Sequence, residues 1–187
     1  NVDARGELLG EFKPSDKILV ISQSGKLKVI IPELSTHFDE DMIVLEKWKP
    51  KKPISAIYYD GEKERYFLKR FLVENEGKEE SFITDHPNSQ LEIVSTDYRP
   101  VAQLVFAKVK GVQKDDLHID VEDFIAVKGF KALGNQLTTD KLKQVNLLDP
   151  LPYEEPVEEV PERPEISEDD PVETELDDDG QIGLVLE

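Results

Sequence analysis

Apolar and polar positions repeat along the first 148 residues as one unit read four times: a short run rich in β-branched and aromatic residues, a turn, then a second run punctuated by Lys or Arg. The copies are K-I-L-V-I-S-Q-S-G-K-L-K-V-I-I from Lys17, P-I-S-A-I-Y-Y-D-G-E-K-E-R-Y-F-L-K-R-F-L from Pro53, Q-L-E-I-V-S-T-D-Y-R-P-V-A-Q-L-V-F-A from Gln90, and D-F-I-A-V-K-G-F-K-A-L-G-N-Q-L-T from Asp123. Their starts lie 33 to 37 residues apart, inside the window of roughly 20 to 50 residues that marks repeat architectures.

Each copy reads as a β-hairpin. Val20, Ile57, Val94 and Ile125 sit in runs of strand length, and Ser24-Gly25, Asp60-Gly61 and Arg99-Pro100 supply turn chemistry between runs. An Asp-Gly pair accepts the positive φ that a tight hairpin needs. Regular hairpins also build sandwiches, but sandwich strands need not resemble one another, whereas propeller blades do. The pattern therefore predicts an all-β body of repeated, radially arranged blades.

Composition divides the chain into residues 1–148 and an acidic, Pro-rich tail, residues 149–187. The formal net charge is -18, yet 16 acidic residues and a single Arg lie from Asp149 onward, so the body is close to neutral. The tail has too little apolar surface and too much like charge to offset ordering costs of roughly 1 to 2 kcal/mol per residue. Its end, G-Q-I-G-L-V-L-E, alternates Ile182, Leu184 and Leu186 at strand period, a pattern suited to an added strand. There is no cysteine, which excludes disulfides and thiolate zinc sites, and no apolar run of about 18 residues. The chain opens on Asn1 rather than Met, as a piece of a longer protein would.

Catalytic chemistry is sparse. His37, His86 and His118 are far apart, and no P-loop, G-x-G-x-x-G or G-x-S-x-G accompanies them. Asp39-Glu40-Asp41 and Asp177-Asp178-Asp179-Gly180 lack the spaced carboxylates of a calcium loop and read as solvated acidic patches. Tyr58, Tyr59, Tyr66 and Tyr98 fall in strand or turn contexts that suit packing.

Basic residues recur at matching places. Lys26 and Lys28 follow the first turn, Lys63, Arg65, Lys69 and Arg70 the second; Arg99 sits in the third, and Lys128 and Lys131 flank Gly129. In a radial repeat, equivalent positions share a rim, so these side chains are candidates for a curved, phosphate-binding track. The bland reading is the ordinary polar face of a strand. The Lys47–Lys52 run poses the same choice, with Trp48 either a core or rim anchor or a stacking platform.

The stretches D-K-I-L-V-I-S-Q-S-G-K-L-K-V-I-I-P-E-L-S-T-H-F-D-E-D-M-I-V-L-E-K-W, Y-Y-D-G-E-K-E-R-Y-F-L-K-R-F-L-V-E and F-I-A-V-K-G-F-K-A-L-G-N-Q-L-T-T-D-K-L-K-Q-V-N-L-L resemble, in order, the C-terminal domain of the A subunit of bacterial DNA topoisomerase IV, in the gyrase A and topoisomerase IV A family of type IIA enzymes. The resemblance runs from Asn1 to about Tyr153.

It implies a β-pinwheel of four-stranded blades whose basic outer rim bends duplex DNA; a complete pinwheel of the family has five or six blades, and residues 1–148 supply only three to four, or a partial pinwheel. It implies a non-catalytic part of an ATP-dependent isomerase: the nucleophilic tyrosine, and the magnesium and ATP sites, match no stretch of this chain and belong to other parts of the holoenzyme. The implied partners are double-stranded DNA, the remainder of the same polypeptide and the ATPase B subunits of an A2B2 holoenzyme, in a bacterial cytoplasm at the nucleoid. The gyrase glutamine-arginine-glycine box is missing, which favours decatenation and relaxation, and so chromosome segregation, over supercoiling. The competing reading is a propeller-like protein-interaction module whose acidic tail binds a basic partner.

Overall fold

A computed structural model describes residues 11–33 and 36–154. Its elements in chain order are β1 (Ile18–Ser22), β2 (Lys26–Ile30), β3 (Met42–Lys47), β4 (Ile54–Asp60), β5 (Arg65–Phe71), β6 (Glu80–Ser81), β7 (Gln90–Ser95), β8 (Val101–Phe106), β9 (Leu117–Asp120), α1 (Val121–Phe124), β10 (Asn135–Thr138) and β11 (Leu142–Leu148). The body is therefore all-β apart from one helical turn. Its strands form three antiparallel sheets ordered β3-β1-β2-β6, β10-β5-β4-β7 and β11-β8-β9, none closed on itself.

One wiring rule generates all three sheets. Each is founded on a hairpin, β1–β2, β4–β5 or β8–β9, and a later strand, β3, β7 or β11, pairs with the hairpin's first strand. The hairpin's second strand is then covered by a segment that returns after the next sheet's hairpin: β6 on β2, and β10 on β5. Among the described residues no strand covers β9. The repeat seen in the sequence is real as a sheet-forming unit, but strands are exchanged between sheets.

That exchange corrects two expected hairpins. The run at Gln90 and the run after Pro100 are not partners: β7 pairs with β4 in the second sheet, while β8 lies between β11 and β9 in the third. Ile125 is not in a strand but caps α1, its N–H donating to the Val121 carbonyl, and the fourth unit contributes only β10. Asp120 starts that turn by accepting from the Glu122 N–H, as an N-cap carboxylate does.

The second sheet is buried on both faces, because alternate residues of its strands point to opposite sides. Ile54, Ala56, Tyr58, Phe67 and Phe71 join Leu19, Ile21, Leu27 and Val29 of the first sheet, with Phe82 and Phe130, in one core. Ile57 and Leu68 face the other way and join Ala102, Leu104, Phe106, Ile119 and Val145 of the third sheet and its surroundings. Each fully buried side chain of this size contributes roughly 1.5 to 3 kcal/mol of transfer free energy. Burial on two faces also explains why I-S-A-I-Y-Y and R-Y-F-L-K-R-F read as near-continuous runs without clean alternation.

The described residues up to Tyr153 belong to one unit, Asn1–Tyr153, and the rest of the chain to a second, Glu154–Glu187. The Ile182, Leu184, Leu186 pattern and Asp177–Gly180 lie outside the described residues.

Candidate nucleic-acid interface

The hairpin tips of the three sheets gather at one end of the body. Gln23 in the β1–β2 turn donates from Nε2 to the Leu91 carbonyl at 3.0 Å, next to where β7 pairs with β4 beside the second tip. Tyr59, Glu64 and Tyr66 of the second tip share a cavity of about 520 Å³ with Thr139, Asp140 and Lys141. The Lys141 carbonyl in turn accepts from the Ala107 N–H at 2.9 Å, at the base of the β8–β9 connection.

The second tip is built on a buried carboxylate. Asp60 accepts from the Thr84 hydroxyl at 2.6 Å and from the Glu62 and Lys63 N–H groups at 2.9 Å. Burial alone pushes its carboxyl up, but these donors outweigh that and hold it below the ordinary range. The turn exposes Glu62, Lys63, Glu64 and Arg65, with acids alternating with bases. Arg65 donates to Gln136 Oε1 at 3.2 Å.

The nine expected track residues fall into three groups. Lys63, Arg65 and Lys128 are exposed and make no ion pair among the described residues. Lys63 and Arg65 share the tip, but Lys128 bridges to Phe71 at the far end of β5, about 20 Å away along the strand.

Four more are tied to carboxylates. Lys26 meets Glu79 at 3.0 Å, Lys28 meets Asp39 at 3.9 Å, and Lys131 meets Glu80 at 3.3 Å. Arg99 is clamped by Asp120 at 2.6 Å and Glu122 at 2.9 Å.

Lys69 and Arg70 are buried, which removes them from any surface track. The reason is the two-faced burial of β5: Lys69 points into the core shared with the first sheet and Arg70 toward the third. Lys69 Nζ lies 5.0 Å from the Phe71 ring and 5.1 Å from the Phe130 ring, and burial, with Lys131 nearby, lowers its ammonium pKa to about 8. Arg70 donates to the Tyr98 carbonyl at 2.7 Å. Lys69 is covered by Phe82 and Phe130, and Arg70 by Tyr98 and by Glu122 of α1, all of them later in the chain.

Lysines that the repeat pattern passes over are exposed at the third sheet: Lys108, Lys110 and Lys114 in the β8–β9 connection, and Lys141 and Lys143 on or beside β11. K-V-K-G-V-Q-K holds the signal, a Lys-Gly turn inside a basic run, but it falls between two repeat units.

The remaining candidates resolve into structure. Tyr58 is buried, donates to the Leu133 carbonyl at 2.9 Å, and is pushed up by burial to about 12, which makes its oxygen a poor nucleophile at neutral pH. Tyr59 packs edge-on to Tyr66, and Tyr98 stacks on Tyr153 at 4.3 Å. Trp48 packs against the first core and is not a free stacking platform. His37 and His118 are exposed, while His86 Nδ1 accepts from the Asn88 N–H. Among the described residues no cluster of His, Asp and Glu could hold a metal ion, and no helix is long and apolar enough to cross a membrane.

Successive antiparallel sheets, wired alike and carrying bases at their hairpin tips, define a repeat-built β domain. Residues 1–149 match the family model of the topoisomerase C-terminal domain of Bacteroidota, and the chain belongs to that family. No curated protein and no solved structure matches it.

Proposed function

We propose that this chain is a non-catalytic domain that binds and bends duplex DNA for a type II topoisomerase, as the C-terminal part of a topoisomerase IV A subunit. The observation that carries this reading is the shared end of the three sheets, where Lys26, Lys63, Arg65, Lys108 and Lys110 recur on successive hairpins of a topoisomerase C-terminal family member. Repeated wiring with strand exchange supports a partial pinwheel. Lysines replacing counterions along such a row attract the phosphate backbone without reading bases, and curvature would follow from the spacing of the tips. The duplex so held is presented for strand passage in decatenation and relaxation. The ATPase B subunits, the A2B2 assembly, magnesium and ATP belong to the intact enzyme at the nucleoid.

Charge reversal tests this. Lys63→Glu with Arg65→Glu should weaken binding to unrelated duplexes alike and lower the slope of log K against log salt by about 0.9 for each phosphate no longer neutralised. Binding like the unsubstituted chain at low salt would reject the tip as a DNA contact. A protein-interaction role draws on a different observation, the edge of β9 that no strand covers among the described residues, with Leu117 about half exposed, which suits strand addition by a partner.

A further inference from the structure

The hairpins at equivalent places in the three sheets differ in one respect. The β1–β2 connection is Gln23–Gly25 and the β4–β5 connection Gly61–Glu64, whereas the β8–β9 connection runs from Ala107 to Asp116. The third repeat carries an insertion, and insertions in repeat proteins collect on one face, often the binding face.

The insertion has its own fold. Val109 and Val112 exchange both backbone hydrogen bonds, at 3.1 and 3.0 Å, around Lys110 and Gly111. Both turn residues have positive φ, 49° and 83°, as the two-residue turn with matching strand twist requires. Every residue from Lys108 to His118 is exposed, so this is a projecting arm. Valines that face one another across such a pair lie on the same side of the ribbon, and both are more than half exposed, at 56% and 67%.

From Lys108 to Lys114 the arm carries only basic charges, and the acids Asp115 and Asp116 follow at its base. Lys114 is held at the base by Asp140 at 2.7 Å, and Asp116 accepts from Gln103 at 2.9 Å, but Lys108 and Lys110 make no ion pair among the described residues. The Gln113 amide nitrogen is spent on the Phe106 and Lys114 carbonyls at 2.9 and 3.1 Å, which leaves Lys108 and Lys110 as the donors the tip offers to DNA. Two unengaged lysines beside an exposed apolar pair match the way minor-groove binders combine basic contacts with an apolar wedge.

We propose that the Lys108–Lys114 arm enters the DNA minor groove, with Lys108 and Lys110 on the flanking phosphates and Val109 and Val112 against the sugar edges. This rests on the DNA-binding reading above and gives the third tip a second task. The lysines of the tips, Lys108 and Lys110 among them, hold the backbone, and the valines of the arm widen the groove and set the bend.

Two variants of the full chain separate these tasks, read by duplex binding across a salt series and by energy transfer between dyes at the duplex ends. Lys108→Glu with Lys110→Glu should lower the salt slope by nearly two and weaken binding about tenfold at moderate salt. Val109→Ser with Val112→Ser should keep the slope and lose most of the end-to-end approach. A minor-groove-binding polyamide should compete with the unsubstituted chain and not with the lysine variant. All four residues are exposed, so unfolding midpoints should be unchanged. Unchanged slope and bending in both variants, or indifference to the polyamide, overturns the arm. If the unsubstituted chain binds no duplex at any salt, the DNA reading itself falls and the arm with it.

Discussion

Lys69 Nζ donates to the Phe82 carbonyl oxygen at 2.9 Å, joining the middle strand of the second sheet to the segment that completes the first. The bond lies against Phe71, Phe82 and Phe130 of the first core, so a cation is held beside aromatic rings with, among the described residues, one oxygen as its hydrogen-bond partner.

That arrangement fixes a pH dependence. Burial brings the Lys69 pKa to about 8 in the folded chain, below its ordinary 10.5, so the unfolded chain binds more protons between those values. Unfolding free energy should therefore rise as pH climbs from about 8 to 10.5 and level off above. Lys69→Met fills the same space without charge and should abolish the rise while costing little at pH 7. Urea midpoints at pH 7, 9 and 10.5 check this, and parallel trends in the two proteins would show that Lys69 does not titrate between them.

Asp60 sets the opposite dependence at the other end of the scale. Its folded pKa is depressed, so its contribution is present above the unfolded value near 3.8 and lost as pH falls through the folded one. Asp60→Ala leaves two turn N–H groups and the Thr84 hydroxyl without their acceptor and should cost about 2 to 4 kcal/mol at pH 7. Asp60→Asn keeps an acceptor oxygen and should cost less than half as much. Equal losses by denaturant unfolding would mean that the charge, and not the turn geometry, matters.

The first two hairpins are legible in the sequence because their turns are local: Ser24-Gly25 closes three residues at φ 76°, which favours Gly, and a Cβ at Gly25 would displace the Ile83 side chain, whose Cδ1 lies 2.5 Å from it. At Asp60-Gly61 the location is legible and the reason is not. Positive φ falls on Glu64, and Gly61 is required because a Cβ there would lie 2.4 Å from His86 Nδ1 and 2.6 Å from the Asn88 backbone. The split of β7 from β8 is illegible, since Arg99-Pro100 reads as a turn whether the next strand folds back or crosses to a new sheet. Lys69 and Arg70 mislead for the same cause. Side-chain exposure on β5 depends on Phe82 and Phe130 packed over Lys69 and on Tyr98 and Glu122 over Arg70, and nothing near residue 70 announces those neighbours. Family membership is legible because the matching words are local strings, whatever sheets they join.

Strand exchange between sheets is an integral part of the fold rather than an ornament on it, and Gly134 tests that. It stands directly before β10 with φ 97°, and a Cβ there would lie 2.4 Å from the Leu68 carbonyl oxygen and 3.1 Å from the Lys69 Cα, both backbone atoms of β5 that cannot swing aside. Gly77 also has positive φ, 75°, but open space around it. Gly77→Ala should therefore cost only the left-handed penalty, about 1 kcal/mol. Gly134→Ala adds a backbone collision that pushes β10 off β5 and uncovers Leu68, and should cost about 3 kcal/mol or more. Amide exchange at Asn135–Thr138 and on β5 should accelerate in that variant and stay slow on β1 and β2. Equal destabilisation by the two substitutions would mean that β10 is dispensable to the second sheet and that each sheet stands on its own hairpin.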